Sequence, residues 1–593
     1  MYSKAALALS LLLIFITGFF YYPRWQQSGT EATISWDASG YYMYLPALFI
    51  YKDIRHCRFQ DSILTKYSPT PDFQQAFKHS SGNYVMKYSS GQALMSAPFF
   101  FIAHAIARYS HHYPADGFSF PYQLSIAIGM FLITAIGLSV LRNVLRQFFN
   151  DLTTALTILL FAFASNYLNY AAVDAAMTHN TLFTLYALVL WNTLRFYEDP
   201  TRLRACIIGL LVGLAMLTRP TEIISLLIPV LWKVESVPAL KSRLQFFLSN
   251  RSKAVIAIAS AALLYSIQPI YWKCVSGEWF VYSYRNEGFD WLKPHVFNCL
   301  LSYRSGWLTY SPVMIFCILG LVPLYQRRQN IFWPILIFSL LFTYLCFAWQ
   351  TWWYGGSLGQ RAMVQAYPVL AFPFAAFMER ILKSKLLTKT LVAIFVCFCI
   401  WYNLWLTHQA HRGGLLRAGE MTQAYFWAIF GKNSVDPRTE TLLDNEALFQ
   451  GNPRTSIVIY GNNFSQRKHS NKVYSGDDGM LELTKNTPFS EEFRFKLYAF
   501  GQKWIRASAD FYTPHKEWEV WRMPQFVMKF YRNQKVIKSA QIRVSRIMNE
   551  GERKNIWLDV LIPQKEFDEI SVVFWNAESG KPVYIDNLKV ICF

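Results

Sequence analysis

One carboxylate stands out by its company. Asp37 lies in Ser35-Trp36-Asp37-Ala38-Ser39-Gly40-Tyr41-Tyr42-Met43-Tyr44-Leu45-Pro46-Ala47, where aromatic side chains surround a single acid. An acid so placed loses hydration and can act as a general base or a metal ligand. The same Trp and Tyr residues also suit an interfacial belt. A second stretch, Trp349-Gln350-Thr351-Trp352-Trp353-Tyr354-Gly355-Gly356-Ser357-Leu358-Gly359-Gln360-Arg361, joins three glycines, four aromatics and one Arg. Glycine lets backbone N–H groups approach an anion closely. Arg binds phosphate oxygens in pairs, and the faces of Trp352 and Trp353 can stack on a sugar ring. A tight turn with interfacial aromatics is the alternative. Lys87-Tyr88-Ser89-Ser90-Gly91-Gln92 and Ser302-Tyr303-Arg304-Ser305-Gly306-Trp307-Leu308-Thr309-Tyr310-Ser311-Pro312 repeat the same mixture. Arg219 and Glu222 fall inside an apolar stretch. An ionised residue at mid-span costs about 2.5–3.5 kcal/mol on insertion scales, so such residues pair or face a wet cavity. A structural Arg–Glu or Arg–carbonyl contact is the simplest reading of the two.

Membrane-spanning helices must position these groups. The chain has 593 residues, 53% hydrophobic and 16% charged, against about 25% charged in a soluble protein. Apolar runs at 5–22, 122–142, 152–170, 180–196, 205–218, 220–233, 254–271, 308–325, 331–349, 363–381 and 388–406 predict eleven spans. With the N-terminus inside, the inner loops hold 17 Lys and Arg, whereas the outer segments 171–179, 272–307 and 350–362 hold five. This bias places the N-terminus in the cytoplasm and the C-terminal domain outside. Lys4 before an apolar stretch resembles a signal peptide, but no small-residue cleavage site follows, and the stretch reads as an anchor. The pair 205–218 and 220–233 is short: 14 residues each span only about 21 Å of a roughly 30 Å core, with Pro220 at the bend. The first outer segment, 23–121, is too long for a connector and contains Ala93–Arg108, an apolar-faced helix suited to the interface.

The remainder differs in kind. Residues 407–450 read as a connector. Residues 451–593 show short alternating runs at 456–460, 480–484, 493–500, 504–511, 526–531, 556–562, 570–575 and 583–590, with Gly, Asn, Asp and Pro between them. This is the pattern of an antiparallel sandwich or jelly roll. Its exposed-type aromatics Trp504, Trp518, Trp521 and Trp575 suit carbohydrate recognition or plain packing. The net charge of +20 does not mark a nucleic-acid binder: residues 451–593 carry 22 Lys and Arg against 16 Asp and Glu, and the rest of the surplus lies in the apolar part. Among nine cysteines no zinc-like spacing occurs; Cys274 and Cys299 could pair within one loop.

Taken together, Asp37 with the following Tyr-Tyr and Leu-Pro, Lys87-Tyr88-x-x-Gly91, Thr218-Arg219-Pro220-Thr221 and Trp352-Trp353-x-Gly355-Gly356-x-x-Gly359-x-Arg361 resemble the GT-C membrane glycosyltransferases. The branch is that of the dolichyl-phosphate-mannose protein mannosyltransferases and the lipid A aminoarabinose transferase. The resemblance covers residues 1–406. It implies a GT-C-like helical domain, a polyprenyl-phosphate-linked sugar donor and a glycan, lipid or protein acceptor. Asp37 matches the family's first-loop acid and would be the base; Tyr41 and Tyr42 beside it would meet sugar or acceptor. Where many members have a second acid, Ala38 follows, and Asp174 becomes the candidate second carboxylate. His179 would hydrogen-bond acceptor or phosphate, or simply start a helix. Arg361, with Arg304 and Lys87, would face the donor phosphate. No cofactor is predicted, and a divalent metal is left open. The implied location is a bacterial inner membrane with the C-terminal domain periplasmic. A flippase of lipid-linked glycans and a non-catalytic anchor for a carbohydrate-binding domain are the rival readings.

Overall fold

In a bilayer every backbone N–H and C=O must find an internal partner, so long apolar runs fold as helices. The computed structural model describes all residues except 286, 446, 450, 452, 454, 465–478, 498–500, 516–517 and 519–521. Six helices in it are long and apolar enough to cross a membrane: Tyr2–Gln26, Phe120–Leu145, Arg251–Ser276, Gln329–Phe347, Arg361–Leu382 and Leu386–Gly413. Asp151–Ala164, Pro220–Leu231 and Pro312–Arg327 are shorter apolar helices. Thr178–Glu198 and Arg202–Thr218 complete the helical set. Helical segments therefore occupy all eleven predicted stretches, while among the described residues the number long enough to span is six.

Local signals set the helix ends. The Asn150 side chain accepts from the Thr153 N–H at 2.8 Å and caps Asp151–Ala164. Pro121 and Pro220 stand at first-turn positions, where a missing N–H costs nothing. Thr178–Glu198 is buried on nearly every side and forms the centre of the bundle. Polar side chains lock it to Phe120–Leu145: Thr134 Oγ1 donates to Asn180 Oδ1 at 3.0 Å, and Thr184 Oγ1 donates to the Ile133 carbonyl at 2.9 Å. Small residues do the same for Arg202–Thr218 and Arg251–Tyr265. A Cβ on Gly209 or Gly213 would overlap the Ala257 or Ala261 backbone, so the two helices touch backbone to backbone.

The long segment after the first helix packs Ile34, Tyr42, Tyr44, Cys57 and Phe59 into a core shared with Tyr122, Ile126 and Met130 and with Tyr271 and Trp272. It carries the short helices Trp36–Tyr42, Tyr44–Phe49 and Gln60–Tyr67. A hairpin follows, β1 (Ala76–Lys78) with β2 (Tyr84–Met86), paired antiparallel with Ala76 opposite Met86. Helix Gly91–Tyr109 comes next and leaves Leu94, Phe101, Ile102 and Ile106 exposed, as an interfacial helix requires.

Met1–Gly419 and Glu420–Phe593 are separate compact units, so the predicted connector 407–450 is divided between them. The second unit holds β3 (Ile457–Asn462), β4 (Leu481–Leu483), β5 (Phe493–Phe495), β6 (Trp504–Tyr512), β7 (Gln525–Arg532), β8 (Lys535–Arg543), β9 (Arg553–Leu561), β10 (Glu569–Trp575) and β11 (Val583–Cys592). One antiparallel sheet has the order β5-β10-β7-β8. The other runs β3-β11-β6-β9, with β4 also on β11. Alternate residues such as Ile505, Ala507, Ala509 and Phe511 meet Phe526, Met528 and Phe530 in one core.

Strand β8 has no counterpart among the predicted runs, and the end of the predicted run at 493–500 lies outside the described residues. Trp504, Trp518 and Trp575 are half-buried rather than exposed, and Trp521 lies outside the described residues. The suggested Cys274–Cys299 pairing is not formed. Both thiols are free, Cys274 on the surface and Cys299 buried in helix Val296–Leu301.

Candidate active site

Helix Trp36–Tyr42 decides which of its residues can act together. Positions i and i+4 share a helix face, so Asp37 and Tyr41 look the same way and Tyr42 does not. Asp37 and Tyr41 line a cavity of about 420 Å³, which also takes in Lys87, Tyr88, Arg219, Glu222, Tyr284, Glu287, Tyr354, Arg361 and Gln365. Tyr42 points into the core of its own segment, where its hydroxyl donates to the Gly117 carbonyl at 2.7 Å.

Two donors hold the Asp37 carboxylate. Tyr88 Oη donates to Oδ1 at 2.7 Å, and Arg361 Nη2 donates to Oδ2 at 2.8 Å. Burial alone would push the Asp37 carboxyl up. The Arg361 charge and the Tyr88 hydrogen bond outweigh it, with Lys87 adding to them, and hold the group below the usual carboxylate range. The backbone is under strain on both sides of the pair. Trp36, directly before Asp37, has φ +47°, and Tyr354, on the cavity wall, has φ +54°. Each such residue costs of order 1–3 kcal/mol and persists only where its surroundings enforce it. At Trp36 the backbone N–H donates to the Pro69 carbonyl at 3.0 Å.

Glycine makes the Tyr88 contact reachable. A Cβ on Gly40 would overlap the Tyr88 ring, which packs on Tyr41 with centroids 4.4 Å apart. Gly40→Ala should displace that ring, break its hydrogen bond to Asp37 and lower kcat/KM about tenfold, the worth of one hydrogen bond to a charged group. Steady-state kinetics on the folded variant, with unchanged values as the contrary result, test this.

Lys87 lies in the same cavity, its Nζ 3.4 Å from Glu287 Oε1 and near the rings of Tyr88 and Tyr284. Arg219 and Glu222 do not form the expected Arg–Glu contact. The Glu222 carboxylate accepts from the Tyr186 hydroxyl at 2.7 Å and from Gln365 Nε2 at 2.5 Å. Arg219 Nη2 instead lies 3.4 Å from both Tyr41 Oη and His179 Nε2. His179 is fully buried and does not line the cavity; it reaches it only through Arg219 and through Gln365, 3.3 Å from Nδ1.

Four other sequence candidates sit apart from the cavity lining. Asp174 is paired with Arg24 and accepts from Asn169 Nδ2 at 2.8 Å, outside the cavity lining. Arg304 Nε donates to the Gly419 carbonyl at 2.6 Å, and its guanidinium lies 3.7 Å over the Trp353 ring. The Trp352 carbonyl accepts from Gln360 Nε2 at 2.7 Å while its ring packs on the helix core. Among the described residues no three His, Cys, Asp or Glu side chains gather as a metal site would need.

Tyr88, Glu287, Tyr284 and Gln365 were not singled out by sequence. Tyr88 had a signal, standing beside Lys87 and three residues before a glycine. Glu287 meets Lys87 across 200 positions, and only the fold brings them together.

Apolar helices enclosing a cavity where carboxylates, cations and aromatics converge define a multi-pass membrane protein with an enzyme-like pocket. Residues 118–272 match the model of the family described as dolichyl-phosphate-mannose-protein mannosyltransferase. The resemblance to GT-C membrane glycosyltransferases drawn from the motifs is borne out by that match. No curated relative matches the chain. Among solved structures, the oligosaccharyltransferase AglB from Archaeoglobus fulgidus, in complex with an inhibitory peptide and a dolichol-phosphate, is 11% identical with a TM-score of 0.40 over 72% of this chain and 57% of its own. Its apo form gives 11% identity and 0.41 over 72% and 58%. The arabinosyltransferase EmbB from Mycobacterium smegmatis is 8% identical with a TM-score of 0.30 over 78% and 57%. The chain thus spans less than two thirds of the length of these proteins.

Proposed function

We propose that the chain is a membrane glycosyltransferase that moves a sugar from a polyprenyl-phosphate donor to an acceptor hydroxyl. The observation that carries this reading is one cavity holding an aromatic-flanked carboxylate, Asp37, beside three cations, Lys87, Arg219 and Arg361. The family match over residues 118–272 supports it. In the step, the acceptor oxygen attacks the anomeric carbon and the C–O bond to the lipid phosphate breaks. The acceptor proton passes to Asp37, and the bonding pair leaves with the phosphate. Charge develops on that phosphate, where preorganised cations act most strongly. A single displacement inverts the anomeric centre.

The active face is the outer one, the N-terminus cytoplasmic and the β unit periplasmic in a bacterial inner membrane, on the basis of the loop charge bias. The acceptor is a surface glycan, lipid or protein. The β unit, taken as a jelly-roll-like sandwich, assists acceptor recognition. Purified chain in proteoliposomes with labelled polyprenyl-phosphate sugar should transfer label to an acceptor extract and release free polyprenyl phosphate. Donor that is moved across the bilayer yet stays intact would overturn the reading in favour of a flippase.

A further inference from the structure

Arg219 is placed by two backbone devices. Pro220 disfavours a helical conformation for the residue before it, and Arg219 is extended, with φ −148° and ψ +125°, directly after helix Arg202–Thr218. Gly91, at the start of its own helix, packs against that exit so closely that a Cβ would overlap Thr218 N. The side chain then reaches the cavity wall.

The electrostatic company of Arg219 differs from that of the other two cations. Lys87 faces Glu287 and Arg361 faces Asp37. Among the described residues, no carboxylate lies within ion-pair distance of Arg219; Glu222, whose charge acts on it from beyond contact, is hydrogen-bonded to Tyr186 and Gln365. Its contacts are to neutral groups at 3.4 Å, and its Nε is buried without a hydrogen-bond partner. A guanidinium has five N–H donors in a planar fork, and a charge withdrawn from water calls for a counter-charge. A phosphate supplies both the charge and the paired oxygens that fit the fork. Phe342, Leu345 and Trp349 line the same cavity, an apolar surface such as the first isoprene units beyond a lipid phosphate require.

We propose that Arg219 takes the phosphate of the lipid-linked donor, and that Arg361 is a positioning residue that holds Asp37. This assignment rests on the transferase reading and divides the labour within it. Arg219 meets the charge that grows on the departing phosphate. Arg361 keeps the carboxylate ionised and aimed.

The test is equilibrium binding of a labelled polyprenyl monophosphate, against the uncharged polyprenol, to the full chain in nanodiscs, with folding followed by thermal melting. Arg219→Gln should weaken phosphate binding tenfold or more. Arg219→Lys keeps the charge but not the fork and should weaken it about three- to tenfold. Arg361→Gln should stay within about threefold while altering the pH dependence of turnover. Unchanged binding in both Arg219 variants, or a loss in Arg361→Gln as large as in Arg219→Gln, overturns the assignment alone. A wild type that prefers the phosphate no more than the alcohol overturns the transferase reading with it.

Discussion

Asp37→Asn should lower the transfer rate by about 10²- to 10⁴-fold, the usual contribution of a positioned general base, while the protein stays folded. The amide has the shape of the carboxylate. Its oxygen can still accept from Arg361, and the Tyr88 hydroxyl, now facing an N–H₂ group, can turn to accept from it. The scaffold therefore keeps its contacts and loses the one group able to take a proton. Donor-phosphate affinity should hold, because the cation assigned to that phosphate is not bonded to Asp37. The measurement is single-turnover transfer of labelled sugar at saturating donor, with melting temperature as the folding control. Full activity would remove Asp37 from the role of base and leave the aromatic belt as the account of its surroundings.

The stretches that carry Asp37, Lys87 and Arg219 line one cavity, and each pairs a charged group with the backbone feature that positions it. Lys87 comes with Gly91, Arg219 with Pro220, and Asp37 with Gly40. What sequence could not supply was direction. Tyr41 and Tyr42 are adjacent and alike in type, and only the helical phase of Trp36–Tyr42 turns one to the cavity and the other to Gly117. Asp174 had the right residue type and a loop position, but Arg24, 150 positions away, consumes it. The further carboxylates on the cavity wall are Glu222, carried by a stretch read as intramembrane, and Glu287. In the β unit, β8 was hidden by its composition: Lys535, Lys538 and Gln541 make an edge strand that is charged and weakly alternating. The turn before it did carry a signal. Asn533 and Gln534 both have positive φ, at 49° and 65°, the geometry of a two-residue hairpin that Asn favours.

Arg361→Gln should produce a loss of activity that depends on pH. Asp37 works as a base only when ionised. In the wild type, Arg361 and Tyr88 hold its carboxyl below the usual range against the opposing effect of burial, so the acid limb of kcat/KM lies on the acid side of an ordinary Asp, at about 3.9. Activity carried by this group falls only as pH drops through that lowered value. Remove the guanidinium and burial is left opposed by the Tyr88 hydroxyl and the more distant Lys87, so the limb moves upward. The variant should then be most impaired near about pH 5 and recover relative to wild type toward about pH 8. The same sign governs stability: the pair stabilises the fold above the unfolded carboxyl's pKa, and that contribution is lost as pH falls through the folded value. A residue that acted on the donor phosphate would behave otherwise. Its own charge does not titrate in this range, so its removal would depress activity by a similar factor at every pH and raise the donor KM. A flat ratio of variant to wild-type activity across the profile would therefore return Arg361 to the phosphate and take from Asp37 the partner that keeps it ionised.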